Sequence, residues 1–181
     1  VKPISHLASR ILAAFRKHDQ RMLRKLNDEV LRVAASECTK VNFDIAVFSY
    51  VLSKIVSKPR YLSSDYAPML NGIAHAFQAI VEKLDSAPED ELLRLFGELE
   101  NTIMRLDAKD PRFFVDLVTK GRLKMAATFY AQGMSLGVAA DMTGLEKQEI
   151  MDYSGETMMF DRLKEEKSIE ERIKAARKFF G

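Results

Sequence analysis

The side chains best suited to chemistry are few in this chain and far apart. His6, His18 and His75 are widely separated, and none stands at a metal-ligand spacing with another histidine or with the single cysteine, Cys38. Protein zinc sites draw their ligands from closely spaced Cys and His pairs, so no metal site is expected. His75 falls in an apolar stretch, Ile73 to Val81, and reads as a hydrogen-bonded core or boundary residue. Cys38 would need a neighbouring base and an environment that favours the thiolate to act as a nucleophile, and it reads as a semi-buried structural thiol. The chain carries no glycine-rich phosphate loop, serine-nucleophile elbow or paired-carboxylate motif. The expectation is a protein with no catalytic residue, no metal and no cofactor, and not an enzyme.

What remains is local charge in one segment. From Gly121 the chain reads GRLKMAATFYAQGMSLGVAADMTGLEKQEIMDYSGET, preceded by Lys120. A helix from Arg122 to Gln132 ends at Gly133, a natural left-handed cap. Ser135 then caps a short helix, Leu136 to Met142, and Thr143-Gly144 turns into a second one running from about Glu146 to Gly155. Ala140, Gly144, Leu145, Ile150 and Tyr153 supply the small residue at a helix crossing, the turn glycine and the apolar lock of a helix-turn-helix.

The string Gly133-Met134-Ser135-Leu136-Gly137-Val138-Ala139-Ala140, with Gly144-Leu145 and Glu149-Ile150-Met151-Asp152-Tyr153, resembles the helix-turn-helix of small archaeal antitoxin-like and uncharacterised helical proteins. The likeness covers about Gly121 to Thr157. It implies contact with double-stranded DNA. Lys120, Arg122, Lys124 and the amides near Ser135 would touch the backbone, and Lys147 and Gln148 would reach base edges or phosphate. Glu146, Glu149 and Asp152 on the same short helix oppose that use, because phosphate attraction dominates nucleic-acid affinity.

The elements that must position this segment are helical. Leu7, Ile11, Leu12 and Phe15 make a helical stripe between Ser5 and His18, and Asp19 caps a second helix with Leu23, Leu26, Val30 and Val33. Asn42 opens a third whose apolar residues, Ile45, Phe48, Leu52, Ile55 and Val56, surround its circumference, which places it at the centre of a bundle. Pro59 ends it. A fourth helix runs from Tyr66 to Leu84, with Pro68 in its first turn. A fifth follows Ser86 as cap and Pro88, and runs to about Leu106; Asp110-Pro111 opens the next. The fold class is therefore all-α: a multi-helix bundle over residues 1–108, then a trihelical helix-turn-helix-like unit and an amphipathic C-terminal helix over 109–181. That last helix follows the capping box Ser168-Ile169-Glu170-Glu171 and carries Ile169, Ile173, Ala176 and Phe180 on one face.

Composition narrows the class without naming a partner. Hydrophobic residues make up 47% of the 181 and the formal net charge is only +2, too little to point to nucleic acid or membrane by itself. Basic side chains interrupt the first apolar stretch and no run approaches a bilayer span, so a cytoplasmic protein without a membrane partner is expected. Arg16, Lys17, Arg21, Arg24, Lys25 and Arg32 make the start locally basic, with Asp19, Asp28 and Glu29 among them; a solvated face is the default reading and a second phosphate surface the other. Tyr61 and Tyr66 either pin a loop or stack on a base. Met125, Met134, Met142, Met151, Met158 and Met159 crowd the last third, as core or as an adaptable binding surface. Two uses follow: DNA binding by a regulator or antitoxin-like component, or a helical interaction or scaffold protein with a protein partner or a homodimer.

Overall fold

The computed structural model describes residues 4–109 and 117–159. Eight α-helices and two 3-10 turns make up its regular elements, and no strand occurs among the described residues. The helices are α1 (Ile4–Arg16), α2 (Gln20–Ser36), α3 (Lys40–Val56), α4 (Ala67–Lys83), α5 (Glu89–Lys109), α6 (Leu117–Ala131), α7 (Leu136–Thr143) and α8 (Lys147–Glu156). Neither the expected start at Asp110-Pro111 nor the C-terminal helix after Ser168 lies within the described residues.

Local chemistry explains most of the boundaries. Asp19 accepts from the Met22 amide at 2.9 Å and starts α2. Just before it, His18 adopts a left-handed conformation (φ 53°) and α1 closes with the Asp19 amide on the Ala14 carbonyl at 2.9 Å. The third helix begins at Lys40 rather than Asn42, because Thr39 supplies the cap, accepting from the Asn42 amide at 3.2 Å. The Asn42 side chain instead reaches back to the Glu37 carbonyl. At the start of α5, Pro88 rather than Ser86 immediately precedes the helix, and its carbonyl accepts from the Leu92 amide at 3.2 Å. Three acids, Glu89, Asp90 and Glu91, then sit in the first turn, where the helix dipole favours them.

The all-round apolar sequence of α3 is matched by its position. It packs against α1, α2, α5, α6 and α7, and Ile45, Val47, Phe48, Val51, Leu52 and Ile55 are fully buried. Phe48 stacks on Phe96 of α5 with ring centroids 5.6 Å apart, and Phe43 meets Phe129 of α6 at 5.4 Å. On the α2 side the seam is partly polar: Asn27 donates to the Ala46 carbonyl (3.0 Å) and to the Ser49 hydroxyl (2.6 Å). A buried amide satisfied in this way fixes the register of two greasy helices. Tyr61 and Tyr66 are both buried, edge to face at 5.0 Å, and hold the α3–α4 connection on the bundle.

Leu117, Val118, Met125 and Phe129 of α6 belong to the same hydrophobic core as α1 to α5. The core therefore runs on beyond residue 108, and the trihelical unit is mounted on the bundle through a shared helix. Gly121 makes that mounting close. A Cβ there would lie 2.9 Å from Val51 Cγ2 and 3.5 Å from Val47 Cγ1, both on the centre of α3.

Alanine at 121 is therefore expected to destabilise the protein by about 1–3 kcal/mol through overpacking, although alanine favours helix over glycine. Thermal unfolding of Gly121→Ala, and of Gly121→Ala with Val51→Ala, checks this. The second change should recover part of the loss, and an unchanged midpoint for the single variant would mean α3 and α6 are not in close contact.

Candidate functional site

The segment Gly121 to Thr157 folds into α6, α7 and α8, which pack on one another. Their shared centre is small: Ala126, Ala139, Ala140 and Ile150, with Tyr130, Met134, Leu136 and Leu145 around it. Alanines at the crossings let short helices approach closely enough to bury Ile150 completely. Gly133 (φ 100°) and Gly144 (φ 69°) make the two reversals in left-handed geometry, which costs an L side chain about 1–2 kcal/mol. Ser135 caps α7 by accepting from Val138 at 3.2 Å. Glu146 and Glu149 form a capping box at the start of α8, with the Glu146 amide on the Glu149 carboxylate at 3.0 Å.

The six polar side chains expected to contact nucleic acid do not share one surface role. Arg122 points to α5, where its guanidinium makes a forked pair with the Glu100 carboxylate at 2.9 and 2.5 Å, and both side chains are about three-quarters buried. Lys124 lies over the Tyr50 ring, 5.4 Å from its centroid. Ser135 is occupied as a cap. Gln148 is exposed and donates to Asp152 at 2.7 Å. Lys120 and Lys147 are exposed. Two of the six are thus committed to holding α6 on the bundle.

The outer surface of α8 is acidic. Glu146, Lys147, Gln148, Glu149, Met151, Asp152, Gly155 and Glu156 are exposed, giving four carboxylates against one lysine. Residues 148, 151, 152 and 155 share one helical face. Met151, 45% exposed, stands there between Gln148 and Gly155, and a Cβ at Gly155 would meet no described atom within 4 Å. Of the other methionines, Met125 and Met159 are buried, Met134 and Met142 are half-buried and Met158 is 65% exposed. The methionines thus serve both core and surface. Cys38 is exposed in the α2–α3 connection rather than semi-buried, and His75 is exposed on the outer side of α4 rather than in the core or at its boundary; the helical turn that buries Ile73, Ala74 and Phe77 rotates residue 75 outward. No group of metal-ligating side chains converges among the described residues.

Sequence reasoning missed Asp44. It sits on α3, 6% exposed, and burial pushes its carboxyl from 3.8 up to about 6, against the pull of Lys40 and Arg122 and with the repulsion of Glu100 and Glu89. A carboxylate inside the greasiest helix was the available signal. Nearby, burial and then the Tyr153 phenol push the Tyr50 hydroxyl up to about 12, where it stays neutral. Comparison with protein-family models, with characterised proteins and with solved structures finds no match for this chain.

Because the Asp44 pKa is higher folded than unfolded, the folded state holds the extra proton between the two values. The stability this contributes is complete below about 3.8 and is lost as pH rises through about 6. Asp44→Asn is therefore expected to match the parent near the lower value and to exceed it at neutral pH, by on the order of 2–3 kcal/mol. Urea unfolding of both proteins across this range tests it; a stability difference that does not change with pH would contradict the burial account.

Proposed function

We propose that this protein is a helical interaction module that binds a basic, amphipathic protein segment on the outer face of α8. The observation that carries the reading is the charge of that helix: four exposed carboxylates against one lysine, with Met151 exposed on the same helix. Methionine adapts to varied apolar partners, and an excess of one charge sign selects partners of the other. Gly155 supports the same reading. Glycine within a helix costs about 1 kcal/mol relative to alanine, and no described side chain uses the space it leaves. A partner helix laid against Met151 would use it.

The second reading is DNA binding through the helix-turn-helix-like unit. It is supported by the Ser135 cap, the left-handed Gly144 turn and the exposed Lys120 and Lys147. Against it stand the acidic α8 and the engagement of Arg122 and Lys124 with the bundle.

A Lys/Leu amphipathic helical peptide and a mixed-sequence duplex, each titrated with the intact protein, separate the two. The peptide is expected to bind, and Glu149→Lys with Asp152→Lys and Glu156→Lys is expected to weaken it about tenfold or more. Gly155→Arg should weaken it as well, while Lys120→Glu with Lys147→Glu leaves it intact. Failure of the peptide to bind, or binding indifferent to the α8 reversals, would sink this reading. Duplex binding lost with Lys120 and Lys147 would install the second.

A further inference from the structure

Among the described residues, α2 carries a stripe of positive charge. Arg21, Arg24, Lys25 and Arg32 are all exposed, and none takes part in an ion pair among the described residues. At 100° per residue, positions 21, 24, 25, 28 and 32 fall within about 100° of arc, so these four cations and Asp28 form one stripe. From Arg21 to Arg32 the stripe is about 16 Å long at 1.5 Å per residue. Beside it, between α1 and α2, runs a groove of about 570 Å3 floored by Leu7 and Val33, with Lys25, Asp28, Glu29 and Arg32 on its walls. The Glu29 carboxylate is already answered by Arg10 at 3.1 Å.

Among the described residues nothing pairs with this stripe. Like charges three and four residues apart, as at Arg21, Arg24 and Lys25, each destabilise a helix by a few tenths of a kcal/mol. The core residues of α2, from Leu23 to Ala34, lie on its other side. A line of unpaired cations suits a polyanion. The length of the stripe corresponds to about five phosphates of one strand at 3.4 Å each. Helix α2 carries no aromatic side chain for base stacking, which favours a duplex backbone over a single strand. Met22 is the one large apolar side chain exposed on α2, too little apolar surface to insert into a lipid layer.

We propose that the exposed face of α2 is a phosphate-backbone-binding surface for double-stranded nucleic acid, separate from the trihelical unit. Binding is sequence-independent and salt-sensitive, and Asp28 weakens it.

Fluorescence anisotropy with a labelled mixed-sequence duplex, from about 50 to 200 mM salt, tests the surface. Four cations give an expected slope of log K against log salt of about −3.6. Arg21→Glu with Lys25→Glu and Arg32→Glu should weaken binding about tenfold or more at the lowest salt. Asp28→Asn, which removes the opposing charge and disturbs no buried group, should tighten it several-fold. Lys120→Glu with Lys147→Glu should leave it unchanged, and circular dichroism confirms that each variant is folded. The proposal is overturned if the intact protein does not bind at the lowest salt, if the triple variant binds as well as the parent, if Asp28→Asn fails to tighten binding, or if the Lys120 and Lys147 changes abolish it. Salt-sensitive self-association that the triple variant loses, without duplex binding, would also overturn it and point to the acidic α8 of a second copy.

Discussion

A helix that is apolar on every side has no solvent-facing stripe, and its neighbours must cover it completely. That demand on α3 organises the described fold. The helices α1, α2 and α5 each contribute a single apolar stripe, α6 is buried on more than one side, and together they enclose Ile45, Val47, Phe48, Val51, Leu52 and Ile55. The sixth helix is needed to close the enclosure, and closure at Val51 requires a residue without a side chain, which Gly121 supplies. Burying the six α3 side chains named above contributes roughly 10 kcal/mol at about 1.5–3 kcal/mol each, a sum that backbone entropy then offsets in large part. The trihelical unit therefore inherits its orientation from the bundle. A helix such as α8, only ten residues long, would be marginal alone and is held in place by α6 and α7.

Greasy helices pack in more than one register, and the polar groups buried in the α3 seams select among them. Asn27 spans to Ala46 and Ser49 on one side, while the Arg122–Glu100 fork ties α6 to α5 on another. Truncating either partner of that fork would strand a half-buried charge, so the pair holds the relative placement of α5 and α6 more firmly than its exposed counterparts, such as Arg94–Glu98 on one helix, hold anything. Asp44 is different in kind. It is buried against the preference of its charge, and it makes the centre of the bundle sensitive to protons in a range where surface carboxylates are already ionised.

Helix type and order were legible in the sequence because periodicity and caps are local. Leu7, Ile11 and Phe15 repeat at three and four, Asp19 and Ser135 cap, and Gly133 and Gly144 turn, each for reasons contained within a few residues. Boundaries shifted where two capping residues competed, as at Thr39 and Asn42. The roles of Arg122 and Lys124 were not legible. Their partners Glu100 and Tyr50 are 22 and 74 positions away, and only the folded chain shows that both long side chains turn inward. The same limit hid Asp44, whose charged surroundings come from three helices, and the outward direction of Cys38 and His75.

Net charge conceals the distribution that matters for function. A total of +2 hides a basic α2 and an acidic α8, and charges on either helix act within about one Debye length, roughly 8 Å at physiological salt. Beyond that distance the two nearly cancel, so long-range steering is weak and binding depends on contact. The turn chemistry of the helix-turn-helix-like segment is specific, yet turn chemistry governs how helices cross, not what their outer faces attract. On the folded chain the stripe of Arg21, Arg24 and Arg32 lies on α2 of the bundle, and the unit with the turn presents carboxylates on α8. A shape suited to a groove and a charge suited to phosphate thus reside on different helices.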